Sequence, residues 1–307
     1  AIMTIHGFCR RMLLENAFES GSLFDTELIT DQEEIKAEVI EDFWRRHLYN
    51  ESPLFVQFAL RGRFRPSHLL DLVGNRHSHP YLRIIPQVPW RDVAPLEKAF
   101  TAALEDVRAA WPSDGREAVE ALQATDSLSL VSYAKRKIPQ WVRGMEGFLS
   151  SPGLSLHLPD GFLKFTVREM DKALKKGRER PSHPFFDQCE ALLRARDTLV
   201  SNYEERLLTL KGELLGYVKR ELEARKRKRN VHSYDDLLLH LLGALQGKGG
   251  EALARAVGGR FQATLVDEFQ DTDPVQYAIF RRVFSQERGL LFLIGDPKQA
   301  IYGFRGA

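Results

Sequence analysis

The chain has 307 residues, with 44 Lys and Arg against 42 Asp and Glu, a formal net charge of +2 and 43% hydrophobic residues. That length predicts roughly two domains with a sizeable core, and the near-balance of charge excludes any nucleic-acid argument from bulk charge, leaving only local clusters. The two cysteines, Cys9 and Cys189, exclude a disulfide framework and point to a reducing, cytoplasmic setting, and no apolar run approaches the length of a membrane span or a signal-peptide core.

In chain order, residues 4–19 predict a helix with Thr4 as N-cap and Ile5, Phe8, Met12 and Leu13 on one face. FDTELIT, 24–30, alternates like a short strand. DQEEIKAEVIEDFWRRHLY predicts a second helix, capped by Thr30 or Asp31. Its acids lie in the first turn and Arg45, Arg46 and His47 in the last, which suits the helix dipole. Over 51–218 apolar residues recur at helical spacing between prolines and glycines, and strand signals are scarce; this stretch predicts a mostly helical insertion. It would divide an α/β domain into two parts, 1–50 and 219–307. Both ends of the sequence read as cuts through a larger domain, so a longer parent protein is expected.

ARKRKRN carries five consecutive basic residues, Arg225 to Arg229, either a phosphate-tracking cluster or a solvated helix face near Glu221 and Glu223. SYDDLLLHLLGAL begins another helix, with Ser233 and Asp236 spaced as a capping box. FQATLV, TDPVQYAIFRRVF and GLLFLIGD then form strand, helix and strand. Asp273 is placed at the N-cap and Pro274 at the first helical position. This is a βαβ unit with a parallel sheet, and its continuously apolar strands predict a sheet covered on both faces. In such sheets ligands sit beyond the carboxyl ends of the strands. Asp267 and Glu268 end the first strand and Gly295 and Asp296 the second, so the two ends are expected to be neighbours.

Crowded carboxylates at a strand end need a cation. With Asp271 close by, Asp267 and Glu268 suit nucleoside-triphosphate hydrolysis: Asp267 to hold Mg²⁺, Glu268 to orient and deprotonate the attacking water. Gln299, just past the second strand, is placed to sense the γ-phosphate or the water. The competing reading of Asp267-Glu268 alone is an exposed acidic turn capping the next helix. No G-x-x-x-x-G-K-[ST] phosphate loop occurs in the sequence; GKGG at 247–250 lacks the Ser or Thr and follows a helix.

Four segments in order, TIHGFCRRML, SYDDLL, LVDEFQDTDPVQY and IGDPKQAIYGFRGA, resemble the UvrD/Rep class of superfamily 1 helicases. Within it the last two are most similar to the RecB family, the beta subunits of exodeoxyribonuclease V. The resemblance implies a partial RecA-like P-loop NTPase motor domain with a helical insertion, using ATP and Mg²⁺ on single- and double-stranded DNA. It implies Asp267 as the Mg²⁺ carboxylate, Glu268 as the base, Gln299 as the residue coupling nucleotide to DNA, and Arg305 as the link between the two sites. It implies DNA contacts from Thr4, His6, Tyr302 and Phe304, the last standing where the family often has tryptophan. Gly303 departs from the side chain that relatives often carry there. By resemblance the parent unwinds and degrades DNA ends in recombinational repair, with gamma and alpha subunits as partners and a nuclease domain elsewhere. A UvrD/Rep-type helicase without nuclease, and a non-catalytic DNA-binding module, stay open; lacking the phosphate loop, the chain alone is expected to be inactive.

Among lesser signals, Lys135–Lys137 with Trp141 nearby could touch duplex DNA. His77 and His79 read as a plain loop, Cys9 as a small core residue, and Trp44, Trp90, Trp111 and Trp141 as packing.

Overall fold

A computed structural model describes residues 2–16, 27–74, 92–284 and 290–300. The chain forms two compact units, residues 1–41, 73–82 and 216–307 in one, and 42–72 and 83–215 in the other.

Helix α1 (Ile5–Glu15) starts where expected: the Thr4 side chain accepts a hydrogen bond from Gly7 N at 3.1 Å. Its described part ends at Glu15, with Asn16 Nδ2 donating to Met12 O at 2.8 Å; residues 17–19 of the expected helix lie outside the described residues. Strand β1 (Glu27–Ile29) is followed by α2 (Glu33–Leu48). Asp31, not Thr30, supports the start of α2, its Oδ1 accepting from Glu33 N at 2.8 Å.

The second unit is built from α3 (Pro53–Arg61), α4 (Pro66–Val73), α5 (Ala94–Ala110), α6 (Arg116–Ala124), α7 (Ile138–Leu149), α8 (Val167–Ala173) and the first part of α9 (Pro184–Arg229). A π turn, Trp111–Gly115, joins α5 to α6. It needs glycine at its end: a Cβ on Gly115 would lie 2.4 Å from the Trp111 ring. The core is aromatic, with Phe55, Phe100, Phe162, Phe165, Phe185 and Tyr203 fully buried. Ser52 Oγ donates to Glu97 Oε1 at 2.6 Å and Tyr203 Oη donates to the same oxygen, so the buried hydroxyl is satisfied. Trp141 is buried against Tyr133, with ring centroids 5.7 Å apart, so it packs the interior and offers DNA no surface.

Helix α9 runs 46 residues without a break, through Gly212 and Gly216 and past the expected division at 218. The basic run is therefore its C-terminal end, where cations also suit the helix dipole.

The chain returns through β2 (Val231–Ser233), α10 (Tyr234–Gln246), α11 (Gly250–Gly258), β3 (Ala263–Val266), α12 (Pro274–Val283) and β4 (Leu290–Leu293). The sheets are two parallel pairs, β1 with β2 and β3 with β4. The βαβ unit stands as read, with Ala263 opposite Leu290 and Val266 opposite Leu293. Asp273 caps α12, accepting from Gln276 N at 2.9 Å, while Gln276 accepts in return from Asp273 N.

One expectation fails. Among the described residues the β3–β4 sheet is covered on one face only. Phe8, Leu13, Leu241, Val257, Ile279 and Phe284 from α1, α10, α11, α12 and the residue after it form one cluster, and Val266 and Leu291 pack against it. The alternate side chains stay in water: Leu265 is 64% and Phe292 48% exposed. A strand's side chains alternate between faces, and among the described residues only one face has a helical layer.

Candidate functional site

The site grows from the β3 and β4 ends. Ile294 N donates to Val266 O at 2.9 Å and Phe269 N to Ile294 O at 2.8 Å, so the parallel pairing continues past the strands into both following loops. This brings the Asp267–Asp271 loop beside the Ile294–Gln299 loop, the neighbourhood expected from topology.

Glu268 sits in the left-handed region, φ 52° and ψ 42°. A non-glycine residue there costs about 1–3 kcal/mol and persists only where its surroundings hold it. Four bonds do so. Glu268 N donates to Asp267 Oδ1 at 2.9 Å, Asp271 N to Glu268 O at 2.9 Å, Phe269 N to Ile294 O, and Gln270 Nε2 to Glu268 Oε2. The turn throws both carboxylates into solvent at the strand end, where the side chains of Asp267 and Glu268 are exposed. On the other loop, Asp296 organises a 3₁₀ turn, Pro297–Gln299. Its Oδ1 accepts from Lys298 N at 2.9 Å and its Oδ2 from Gln299 Nε2 at 3.2 Å, which fixes where Gln299 stands.

Three features here were not assigned roles from sequence: the strained Glu268, the cross-loop contacts of Gln270, and Asp296 as the anchor of Gln299. Only DEFQ and GDPKQ marked them, and neither spelling tells which atoms meet.

The donor set is oxygen only. Among the described residues no group of three His, Cys, Asp or Glu is arranged to hold a metal ion. Zinc-type chemistry wants such a group; Mg²⁺ does not, since it keeps waters and takes one or two carboxylates plus phosphate oxygens. Asp267 and Glu268 fit that requirement. Asp271 Oδ1 is buried with no hydrogen-bond partner, so it belongs to the loop's interior rather than to the exposed pair.

At the start of α1, Thr4 is exposed and caps the helix, and His6 packs edge-on against Tyr234, with centroids 5.6 Å apart at 85°. Tyr234 opens α10 and is 43% exposed. It was unassigned from sequence, although SYDDLL contained it. Tyr302, Phe304 and Arg305 lie outside the described residues, as do His77, His79 and Trp90.

The two basic clusters separate. Lys135, Arg136 and Lys137 are exposed on a 3₁₀ turn before α7. Of the α9 run, Arg229 forks onto Glu38 at 2.9 and 2.7 Å, Arg225 reaches the same carboxylate at 3.4 Å, and Lys226 is buried. The hydrogen bonds from Arg229, with the charges of both arginines, hold the Glu38 carboxyl below its ordinary value. Arg225 and Arg229 thus pair with Glu38 and Lys226 with Asp236. Cys9 is fully buried, and burial, with the charge of Asp273, pushes its thiol up to about 12, so it stays neutral and unreactive.

Comparison with known proteins adds the following. The family model for the UvrD/REP helicase N-terminal domain matches residues 1–307. The RecBCD enzyme subunit RecB of Escherichia coli strain K12 is 35% identical over 314 residues, covering all of this chain and 26% of that protein. The RecB subunit of Haemophilus influenzae is 30% identical over 341 residues, with 100% of this chain and 27% of that protein covered. The subunit of that name from Mycolicibacterium smegmatis is 56% identical over 86 residues, 28% of this chain and 8% of that protein. The chain thus spans about a quarter of the length of the full-chain relatives.

Proposed function

The chain belongs to the UvrD/Rep helicase family, and on that premise we propose that the β3 and β4 ends carry half of the nucleotide-hydrolysing site of an ATP-dependent DNA helicase. The observation that carries this reading is the stitching of the two loops, which sets the strained Glu268 and the anchored Gln299 on neighbouring strand ends. In this reading Asp267 holds Mg²⁺, which when bound neutralises charge on the phosphates. Glu268 orients the attacking water and accepts its proton, as a carboxylate in hydrogen-bond reach can. Gln299, steadied by Asp296, meets the γ-phosphate or the water and relays nucleotide state to DNA.

The DNA side of the proposal uses Thr4, His6, Tyr302 and Phe304, with Arg305 linking the two sites. Tyr234 joins them because it touches His6 and offers an exposed ring on which a base can stack. Lys135–Lys137 supply phosphate contacts to duplex. The full protein, by its likeness to the RecB subunits, is a cytoplasmic helicase-nuclease that translocates on and unwinds DNA ends in recombinational repair. In this reading it assembles with gamma and alpha subunits and carries its nuclease in a separate domain.

Asp267→Asn in the full-length protein tests the site. It should abolish DNA-stimulated ATP hydrolysis and unwinding and leave DNA affinity within about twofold. Retained unwinding would remove Asp267 from the Mg²⁺ role. A second reading applies to the chain on its own: without a G-x-x-x-x-G-K-[ST] loop to cradle the phosphates it binds DNA but turns over no ATP.

A further inference from the structure

Gln270 joins the two loops through both ends of one amide. Its Nε2 donates to Glu268 Oε2 and its Oε1 accepts from Asp296 N at 3.0 Å, across 26 residues of sequence. The loops approach closely here, and a side chain at 295 would push against the Gln270 amide. A Cβ on Gly295 would lie 2.5 Å from Gln270 Oε1, 3.0 Å from Gln270 N and 3.1 Å from Phe269 N. An amide engaged at both ends, seated against a glycine, defines the contact.

We propose that Gln270 is a positioning residue: a strut that fixes the Glu268 carboxylate relative to the loop carrying Asp296 and Gln299. This rests on the reading of Glu268 as general base. The amide occupies Oε2, and among the described residues Oε1 has no hydrogen-bond partner, so one oxygen stays available for a proton. The strut also gives the β4 loop a direct handle on the base. Asp296 holds Gln299 through its side chain and Gln270 through its backbone N–H, so a shift of one loop is felt by the other. Only an amide does this. It donates at one end and accepts at the other, whereas a carboxylate at the same place would accept at both ends and repel Glu268.

The test uses the full-length protein and its DNA-stimulated ATPase, with kcat and KM read separately. Gln270→Ala should lower kcat by about 10- to 100-fold with KM for ATP within about threefold, since misplacing a base costs the chemical step rather than binding. The near-isosteric Gln270→Glu, which can accept from Asp296 N but cannot donate to Glu268, should lose kcat as Gln270→Ala does, with KM for ATP likewise kept. A purely structural role would not separate kcat from KM in this way. Gly295→Ala should reproduce the Gln270→Ala loss. Combined, the two should lose less than the product of the single effects, because both break one contact.

Glu268→Gln separates the two levels. An inactive Glu268→Gln beside a Gln270→Ala with unchanged kcat would overturn the strut alone, as would a Gln270→Glu that keeps the parent kcat. An active Glu268→Gln would overturn the general-base reading and the strut with it.

Discussion

Lys226 Nζ donates to both carboxylate oxygens of Asp236, at 2.6 and 2.7 Å, with the two side chains only 6% and 11% exposed. The lysine comes from the end of α9 and the aspartate from the first turn of α10, so the pair ties together the two helices that flank β2. Asp236 also accepts from Ser233 N at 2.7 Å. Burial opposes ionisation of Asp236, but the charge of Lys226 and the hydrogen bonds from Lys226 and Ser233 outweigh it and hold the carboxyl below its ordinary value. Removing one partner leaves a buried charge alone. Lys226→Met or Asp236→Asn should therefore cost about 3–5 kcal/mol in urea unfolding, and Lys226→Met with Asp236→Leu should recover most of it apart from the lost cap. Single variants within about 1 kcal/mol of the parent would show that the pair is not buried in solution.

A pH dependence follows from His232 and His240, whose rings meet edge-on with centroids 4.6 Å apart. Burial lowers both, and each is further lowered by cations around it; Asp236, and for His240 also Glu223, acts the other way. Lys226 faces both rings, and Arg227 adds to the field at His240. Their folded pKa values lie below the ordinary 6.5, so as pH falls the unfolded chain takes up protons first. The stability these histidines contribute is present above 6.5 and is lost as pH falls through their folded values. Urea melts at pH 7.5 and 5.5 should show a smaller acid loss in His240→Gln than in the parent. An unchanged loss would place the acid sensitivity elsewhere.

The basic clusters predict opposite outcomes. Neutralising Lys135, Arg136 and Lys137 to Gln should flatten the salt dependence of duplex binding by about 2–3 in log–log slope, at roughly 0.9 per phosphate contact, with stability untouched. Arg225→Gln with Arg229→Gln should leave the slope alone, because both side chains are engaged with Glu38. Tyr234→Ala should weaken single-strand binding by about 1–3 kcal/mol with little change in slope, the mark of lost stacking rather than lost charge. Anisotropy titrations across a salt series read all three.

Much of this was legible because local signals agreed. Asp273 and Pro274 mark the start of α12 whatever surrounds them, and apolar runs on either side give the parallel pair. What escaped depended on long-range contact. ARKRKRN stays open between a phosphate-tracking cluster and a solvated face because nothing local reveals that its first lysine, Lys226, is buried against Asp236 on the next helix. The length of α9 escaped because Gly212 and Gly216 weaken a helix without stopping one that is packed. The strand faces misled because an apolar run records composition, not what lies over it: Leu265 and Phe292 are exposed all the same. At the site, DEFQ announces carboxylates, but the left-handed Glu268 and the Gln270 bridge exist only once β4 lies alongside β3.

The central claim is that Glu268 performs chemistry rather than capping a turn. Single-turnover hydrolysis of ATP by the full-length protein with DNA bound, parent against Glu268→Gln, tests it most directly. The account predicts a loss of about 10²–10⁴-fold in the hydrolysis step with ATP affinity kept, the scale of a missing general base. Hydrolysis within about threefold of the parent would contradict it and leave Asp267 and Glu268 as an exposed acidic turn.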